Sequence, residues 1–373
     1  MYHLNLDTQE FLRHHWQKKP LFIKGAFADF LDPIEPDELA GLATEESVSS
    51  RLVIQQEGQW RSESGPVTDF EPLGDCGWQL LVQAVNHLEP AASELAACFR
   101  FLPDWRFDDL MASFAAPGGG VGPHIDNYDV FIIQGQGQRR WQVGDRGEHK
   151  PRKGSGALAL VEDFEPLLDV EMAPGDLLYI PPGYPHCGQT LTPSLSYSVG
   201  FRAPSQQELL CQLADQLQDT NQGQQRFTSD SEPRQASLIS ADHQQGLLSL
   251  MAKLISDPTT LRPMLGTLLS QNRFELDPLP PQTPLELPQL IDALDQGVEI
   301  VRIGGLKVVH LEGDRPGSLY LDGHHWLLNT QALALPLREQ ARLGSGTLSP
   351  LLSDKEDSAT LLEFINLGYW YLE

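Results

Sequence analysis

Short apolar runs alternate with glycine and proline turns along the stretch from about residue 109 to residue 202. The runs that fit short strands are residues 110–115, 129–134, 140–143, 157–161, 176–180 and 195–201. Turn residues flank the fifth run on both sides, as Pro174-Gly175-Asp176 and Pro181-Pro182-Gly183. Many short strands with turns between them are typical of a sandwich or barrel of the jelly-roll kind. The pattern therefore predicts a mainly β core.

The first 105 residues have a different pattern, which predicts a mixed and mostly helical region. A first helix is expected from Asp7 or Thr8, either of which can cap it, to about Trp16. It ends before Pro20, because the residue ahead of a proline disfavours the helical conformation. Residues 21–23 are a candidate strand, and further helices are predicted from residue 36, at 78–85 and at 91–99.

Polar and proline-rich stretches divide the chain after the predicted β core. Residues 219–234, which follow a predicted helix at 206–217, are rich in Gln, Ser, Asp and Asn and are the best linker candidate. Two helices, at 242–255 and 259–270, carry Leu and Met at three- and four-residue spacing. A proline-rich stretch at 277–284 marks a second boundary. We therefore predict three regions, at residues 1–205, 206–276 and 277–373.

The last region is predicted to be a small winged-helix-like module. Its pattern indicates a helix at 288–295, strands at 298–303, 307–311 and 319–321, and two closing helices. Asp322-Gly323 between apolar runs is typical of a hairpin turn. Residues 281–373 hold 13 Asp and Glu against 6 Lys and Arg. Because a DNA-binding surface is basic, we expect a protein-binding or scaffolding role and no direct DNA binding.

The whole chain is strongly acidic, with a net charge of −25 in 373 residues. This charge disfavours sequence-independent binding to nucleic acid and favours attraction to a basic partner. No apolar run reaches the length of about 18 residues that a membrane-spanning helix needs, and the N-terminus lacks the pattern of a signal peptide. The four cysteines form no CxxC pair. We therefore expect a cytoplasmic protein with reduced thiols that does not enter a membrane.

His124, Asp126 and His186 are the candidate metal ligands. His124 and Asp126 stand two residues apart, so both can project from one face of a strand. His186 lies far downstream, after the Pro181-Pro182-Gly183 turn, where a jelly roll returns to the same site. Two histidines and a carboxylate are typical of the facial triad of a non-haem Fe(II) site. Such a triad keeps positions open for a bidentate co-substrate and dioxygen, which suits an oxidation.

Arg139 is the candidate anchor for that co-substrate. In its strand Arg139, Trp141 and Val143 share one face, and the two apolar neighbours mark that face as inward. A buried guanidinium needs an anion. A dicarboxylate would satisfy it through two parallel hydrogen bonds, and a structural Asp or Glu is the alternative.

Three serines are candidate helpers at the same site. Ser113 lies on the strand that leads to the glycine-rich turn, and its hydroxyl could reach the carboxylate that Arg139 binds. Ser196 and Ser198 share a polar face of the last strand, and that face could line the cavity. Solvent exposure of these hydroxyls is the alternative.

These motifs resemble those of the JmjC-domain 2-oxoglutarate oxygenases, a branch of the cupin superfamily. The matching segments are Trp16 to Gly25, His124-Ile125-Asp126, Gly137-Gln138-Arg139 and Pro174-Gly175-Asp176 through His186. Within that family the chain is most similar to the bacterial ribosomal oxygenases, on Pro117 to Gly135 and Tyr197 to Pro204. Many JmjC enzymes have Lys where Arg139 stands, and the ribosomal group resembles this chain in having Arg.

The resemblance implies an α+β fold with a mainly β core. That core is a double-stranded β-helix with flanking helices, followed by a helical middle region and the winged-helix-like module. The resemblance also implies Fe(II) on His124, Asp126 and His186, with dioxygen as the oxidant. It implies 2-oxoglutarate as co-substrate, bound by Arg139 with help from Ser113 or Ser198.

The implied activity is hydroxylation of an arginine side-chain carbon of large-subunit ribosomal protein sixteen, with release of succinate and carbon dioxide. The helical middle region resembles a dimerisation region, so a homodimer is expected. Packing of the same leucines within one chain is the alternative.

Two other functions stay open on the sequence. The chain could be a JmjC oxygenase of another protein, as a histidine hydroxylase or a demethylase. It could also be a non-catalytic metal-binding cupin that serves as an adaptor through its C-terminal module. Turnover of 2-oxoglutarate separates the enzyme from the adaptor. The mass of ribosomal proteins from cells that lack the chain separates the substrates.

Overall fold

The computed structural model describes residues 2–56, 58–153, 158–231 and 235–373, which fall into two compact units. The first unit runs to Ala203 and takes in Asn272–Leu279 and Ile303–Gly305. The second unit consists of Pro204–Gln271, Pro280–Arg302 and Leu306–Glu373. The predicted boundaries of three continuous regions, at residues 205 and 276, stay a prediction. Each compact unit of the structure is built from several segments that are distant in sequence.

Two antiparallel sheets form the centre of the first unit. Their strands are β1 (Leu21–Ile23), β2 (Ser50–Gln56), β3 (Gln59–Ser64), β4 (Trp78–Val82), β5 (Phe107–Ala115), β6 (His124–Ile125), β7 (Asp129–Gln134), β8 (Arg139–Gly144), β9 (Pro166–Met172), β10 (Leu177–Ile180), β11 (Pro185–Thr190) and β12 (Ser194–Phe201). The major sheet has the order β1-β10-β7-β12-β5-β4-β2-β3, and the minor sheet has the order β6-β11-β8-β9. These two sheets confirm the predicted double-stranded β-helix.

Among the described residues, the first unit has four α-helices: α1 (Thr8–His14), α2 (Pro36–Leu42), α3 (Val85–Leu88) and α4 (Pro90–Ala97). The Asp7 side chain accepts a hydrogen bond from the Glu10 amide and caps α1, as predicted. A cluster of buried side chains includes Phe11 of α1, Leu39 of α2 and Leu95 of α4 together with residues of the major sheet. The N-terminal helices therefore cover the outer face of the major sheet.

Strand β7 is buried on both faces and separates two apolar clusters. Phe131 and Ile133 belong to the cluster under the N-terminal helices. Val130 and Ile132 belong to a second cluster, which includes Val143 of the minor sheet. Because side chains alternate along a strand, β7 joins the helical layer to the space between the sheets, where the candidate site lies.

The second unit combines helices with two small sheets. Its elements are α5 (Gln206–Asp219), α6 (Ala241–Ile255), α7 (Pro258–Ser270), α8 (Leu287–Asp295), β13 (Ile300–Arg302), β14 (Val308–Val309), β15 (Ser318–Leu321), β16 (His324–Leu327), α9 (Gln331–Glu339), β17 (Arg342–Leu343), α10 (Ser345–Leu348), α11 (Lys355–Asn366) and β18 (Trp370–Leu372). The sheet orders are β17-β13-β18 and β14-β15-β16. Asp322 and Gly323 both have positive φ between β15 and β16, which confirms the predicted hairpin turn.

The prediction of a mostly helical N-terminal region is wrong for residues 50–82. Trp78–Val82 is the strand β4, which pairs with β2 on one side and β5 on the other, and not part of a helix. The apolar run was interpreted as a helix because a strand buried on both faces lacks the alternation of apolar and polar residues that distinguishes a strand from a helix. The hairpin of β2 and β3 was not predicted either.

Two predictions in the β region also need correction. Ala157 lies outside the described residues, and the rest of the predicted strand 157–161 contributes two isolated bridges, His124 with Leu160 and Pro151 with Val161. Strand β9, which was not predicted, takes the edge position beside β8. Its mostly exposed residues lack the apolar pattern from which the other strands were predicted.

None of the described helices has both the length and the apolar character needed to span a bilayer.

Substitution of Phe131 tests the packing of this core. Its ring is fully buried and lies within 6 Å, centroid to centroid, of Phe11, Phe99, Tyr179 and Phe201. We expect Phe131→Ala to lower the free energy of unfolding of the first unit by about 3–5 kcal/mol, because it removes buried apolar surface and leaves a cavity. Denaturation in urea measures this.

The matched control is Leu31→Ala, because Leu31 is 76% exposed. It should change the same free energy by less than about 0.5 kcal/mol. Equal losses in the two variants would contradict the description of the core.

Candidate metal centre

The three predicted metal ligands meet at one place between the sheets. His124 lies on β6, Asp126 follows its end, and His186 lies on β11 directly opposite His124 in the antiparallel register. One ligand atom from each residue lies within 4.8 Å of the others. The Asp126 Oδ2 atom is 3.9 Å from His124 Nε2 and 3.6 Å from His186 Nε2. Two strands that are distant in sequence therefore bring together three ligand atoms.

Backbone carbonyls orient both imidazoles. His124 Nδ1 is 2.8 Å from the Gly122 carbonyl oxygen, and His186 Nδ1 is 3.1 Å from that of Tyr184. An Nδ1–H that donates to a carbonyl leaves the Nε2 lone pair for a metal. Burial, and then the nearby His124, lower the pKa of His186 to about 4. His186 is therefore neutral at physiological pH, which is the form that binds metal.

Two further contacts hold the Asp126 side of the site. The Asp126 carbonyl accepts a hydrogen bond of 2.8 Å from the Gly183 amide, which ties the Pro181-Pro182-Gly183 turn to the ligand segment. The Tyr128 hydroxyl donates to the Asp126 carboxylate, and burial followed by this carboxylate raises the pKa of Tyr128. Tyr128 was not predicted from the sequence. Its position two residues after Asp126 is the signal that could have found it.

The donor set suits a divalent first-row metal. Two imidazole nitrogens and one carboxylate oxygen on one side of an ion are the ligands of the facial triad, which leaves other positions open. Cys187 follows His186 but alternates to the opposite side of β11. Burial raises the pKa of the Cys187 thiol to about 11, so it stays protonated. The residues present therefore fit Fe(II).

Arg139 is buried between the two sheets, as predicted, with 2% of its surface exposed. Its Nε donates to the Ser194 hydroxyl at 2.8 Å and its Nη1 to the Ser113 hydroxyl at 3.1 Å. Its Nη2 donates to the carbonyls of Ser113 at 3.2 Å and Ser194 at 3.0 Å. The guanidinium therefore links β8 of the minor sheet to β5 and β12 of the major sheet.

No carboxylate among the described residues forms an ion pair with Arg139. Burial without a counter-charge lowers the pKa of Arg139 to about 9. Its neighbour Arg140 lies on the outer face and pairs with Asp169 through contacts of 2.7 and 2.5 Å. The predicted inward and outward faces of β8 are confirmed, and the structural alternative for Arg139, an internal Asp or Glu, is not what the described residues show.

The predicted serines differ in whether they lie beside Arg139. Ser113 contacts Arg139, and its hydroxyl lies 3.1 Å from that of Ser196. Ser198 lies further along β12, opposite Met111 and Ile132, and takes no part in the Arg139 bonds of the described residues. Ser194, which was not predicted, provides two of those bonds. Its even spacing from Ser196 along β12 was the available signal.

The metal ligands and Arg139 lie at opposite ends of one face of the minor sheet. In the register of β11 with β8, His186 pairs with Val143, Gly188 with Trp141, and Thr190 with Arg139. The two ends are separated by four residues, or roughly 14 Å along the strand. A Cβ atom at Gly188 would lie 2.8 Å from the Trp141 ring, so the ring occupies the space over Gly188. The face between the two ends is therefore lined by Trp141.

Two polar atoms on this face are buried and have no partner among the described residues. They are the Trp141 indole Nε1 and the Thr190 hydroxyl Oγ1. A buried polar group without a partner is unfavourable unless a ligand satisfies it. An indole N–H can only donate and a hydroxyl can donate. Together with the Arg139 cation, these groups make the cavity suitable for an anion that accepts hydrogen bonds.

Comparison with known proteins gives two matching family models and full-length relatives. A JmjC domain model matches residues 94–209, and a ROXA-like winged helix model matches residues 253–371. The chain is 42% identical to the ribosomal protein uL16 3-hydroxylase of Escherichia coli (strain K12), over 100% of this chain and 99% of that protein. It is 34% identical to a probable ribosomal oxygenase of Haemophilus influenzae, over 73% of this chain and 71% of that protein.

A solved structure agrees over the whole chain. The structure of YcfD, a ribosomal oxygenase from Escherichia coli in complex with cobalt and 2-oxoglutarate, matches with a TM-score of 0.90 and 42% identity, and all of both chains is covered. The match confirms the fold predicted from the sequence, and the winged helix model confirms the C-terminal module.

Removal of one ligand tests the metal centre. We expect Asp126→Ala to weaken the binding of Mn(II), a stand-in for Fe(II), by more than about 100-fold, because loss of a supporting contact alone costs 10–100-fold. Calorimetric titration under nitrogen measures the affinity. The control is Asp163→Ala, since the Asp163 side chain is 87% exposed. Wild-type affinity in Asp126→Ala, with a wild-type melting curve, would refute the assignment.

Proposed function

The chain belongs to the JmjC-domain ribosomal oxygenases, and from this membership we propose that it is an Fe(II)- and 2-oxoglutarate-dependent hydroxylase of ribosomal protein uL16. The observation that carries the proposal is the pairing of a metal triad with a buried arginine that lacks a carboxylate partner among the described residues. A metal site alone would also fit an adaptor. The cation at the far end of the same cavity calls for an anionic co-substrate.

His124, Asp126 and His186 would hold the iron. The bound metal supplies oxidation of an unactivated C–H bond by dioxygen, coupled to conversion of 2-oxoglutarate into succinate and carbon dioxide. The protein contributes ligand geometry, through the carbonyls that fix the two imidazoles and through the Tyr128 hydroxyl on Asp126. Burial of Arg139 between the two sheets keeps water from that end of the cavity.

Arg139 would bind the distal carboxylate of 2-oxoglutarate, and Ser113 would assist. This assignment is supported by the burial of Arg139 and by its bond with the Ser113 hydroxyl. An anion would compensate the desolvation of the guanidinium that lowers its pKa. The role predicted for Ser198 stays a prediction. Its place on β12 is outside the group of serines around Arg139.

We infer that the hydroxylated residue is an arginine of uL16. The relative from Escherichia coli is a uL16 3-hydroxylase, and the target side chain is our inference for this chain. Ribosomal proteins are basic because they bind RNA. The net charge of −25 attracts such a substrate over a distance. Since ribosomes are assembled in the cytoplasm, we place the reaction there.

A homodimer is the expected assembly. Helix α6 exposes an apolar face formed by Leu247, Leu248, Met251 and Ile255, which are between 45% and 62% exposed. Leu247 and Leu248 are adjacent, and Met251 and Ile255 follow them at spacings of three, four, seven or eight residues, so the four share one side of the helix. An exposed apolar face of this kind marks an interaction site. We propose that a second copy of the chain covers it.

The winged-helix module is assigned a role in protein binding. Its net charge of −7 over residues 281–373 is opposite to the charge of a DNA-binding surface. A basic ribosomal protein is a suitable partner for it.

The substrate is tested with peptides that together contain every arginine of uL16. With Fe(II) and 2-oxoglutarate, we expect one peptide to gain the mass of one oxygen atom, located on arginine by fragmentation. Replacement of that arginine by lysine should abolish the gain, as should Asp126→Ala in the enzyme. Hydroxylation of a histidine instead, or loss of a methyl group, would support the alternative JmjC functions and contradict the arginine assignment.

The dimer is tested by charge on α6. Met251→Glu should convert the wild-type dimer to a monomer in sedimentation equilibrium, because a carboxylate in an apolar interface loses its hydration. Gln245→Glu adds the same charge at an exposed position of α6 and should leave the dimer intact. A monomeric wild type, or a Met251→Glu variant that stays dimeric, would contradict the proposed interface.

A further inference from the structure

The Arg139 guanidinium has little hydrogen-bonding capacity left for a ligand. A guanidinium carries five N–H donors, one on Nε and two on each Nη. Four hydrogen bonds to Ser113 and Ser194 use the Nε donor, one Nη1 donor and both Nη2 donors. One Nη1–H therefore remains. The two parallel hydrogen bonds expected from the sequence would require Arg139 to give up a bond to the protein.

A carboxylate at this position needs further donors. It has two oxygens that can each accept more than one hydrogen bond, and its removal from water is unfavourable unless those bonds are replaced. The Ser113 hydroxyl already accepts from Arg139 and lies against Ser196. At least one more donor close to Arg139 is therefore required.

Thr190 is placed to be that donor. It pairs with Arg139 in the register of β11 and β8, so their side chains stand beside each other on the inward face. Its residue is 2% exposed, and its Oγ1 is buried without a hydrogen-bond partner among the described residues. A buried hydroxyl in this state is rare in proteins and indicates a ligand or water that satisfies it.

The backbone of Thr190 is fixed on both sides. Its amide donates to the Gly119 carbonyl at 3.0 Å, and its carbonyl accepts from the Gly118 amide at 2.8 Å. The glycine-rich turn before His124 therefore holds the end of β11 as well as leading to the metal ligands. A β-branched side chain on a fixed strand has few rotamers, so the position of the hydroxyl is set in advance.

We propose that the Thr190 hydroxyl donates a hydrogen bond to the co-substrate carboxylate that Arg139 binds. This inference rests on the proposed function, because it takes the anion to be the distal carboxylate of 2-oxoglutarate. Thr190 is then a binding residue that lets Arg139 keep its bonds to Ser113 and Ser194. The carboxylate then accepts from the remaining Arg139 donor and from the Thr190 hydroxyl beside Ser113, and no two-pronged arginine contact is needed.

The test measures binding without turnover. Protein loaded with Mn(II) is titrated with 2-oxoglutarate under nitrogen in a calorimeter. Thr190→Val keeps the shape of the side chain and removes the hydroxyl, so we expect binding about tenfold weaker or more, the usual loss for a hydrogen bond to a charged group. Thr190→Ser restores the donor and should bind within about threefold of wild type.

A second ligand separates a specific contact from a general disturbance of the site. The probe is 2-oxopentanoate, which has the same chain length as 2-oxoglutarate and a methyl group in place of the distal carboxylate. Wild type and Thr190→Val should bind it equally. Thr192→Val is the matched control, since the exposed Thr192 hydroxyl accepts only from the Gln138 amide among the described residues. It should leave the affinity for both ligands unchanged.

Each result of these titrations either supports or overturns the role of the Thr190 hydroxyl. Unchanged affinity for 2-oxoglutarate in Thr190→Val overturns the inference and leaves the proposed function intact. An equal loss for both ligands also overturns it, because the variant then disturbs the whole cavity. If Thr190→Val does not fold, Thr190→Ala is measured by the same criteria. Failure of the wild type itself to bind 2-oxoglutarate is a failure of the proposed function.

Discussion

The burial of Arg139 is the constraint on which the candidate site depends. Its guanidinium crosses from β8 to the Ser113 and Ser194 positions of the facing strands, so one side chain joins the two sheets. A buried cation is costly unless an anion is near, and no carboxylate of the described residues pairs with it. The cavity therefore favours an anionic ligand, which compensates the charge of Arg139. Such a ligand would lie between the arginine and the metal ligands. The separation of the two ends along one sheet face fixes the kind of molecule that fits, which is one that reaches a metal at one end and a cation at the other.

Much of this arrangement could be predicted from the sequence, because it follows from the alternation of side chains along single strands. His124 with Asp126, and Arg139 with Trp141 and Val143, each depend on one strand and its inward face. Ser194 was indicated only by its spacing of two residues from Ser196, and no such signal marked Thr190. The placement of both residues beside Arg139 depends on the register between strands that are distant in sequence, which local pattern does not fix. The expectation of two parallel bonds from Arg139 stays a prediction, and the facing serines already use four of its five donors.

The errors in the fold have a related cause. Strand β4 was mistaken for a helix because the side chains on both of its faces are buried, while β2 and β5 pair with its two edges. Strand β9 was missed because it lies at the edge of the minor sheet, where most of its side chains are exposed. The geometry of the site does not identify the protein substrate, but the net charge of the chain bears on it. An acidic chain and an acidic winged-helix module favour a basic protein as the partner of the oxidising site.

We propose that one cavity couples the decarboxylation of 2-oxoglutarate to the hydroxylation of a uL16 arginine. The most direct measurement is the reaction under isotopically heavy dioxygen, with mass spectrometry of both products. We expect one heavy oxygen atom in the hydroxylated arginine and one in succinate, with equal amounts of the two products. Hydroxyl oxygen that comes from water, or succinate that forms at the same rate without the peptide and leaves it unmodified, would contradict it.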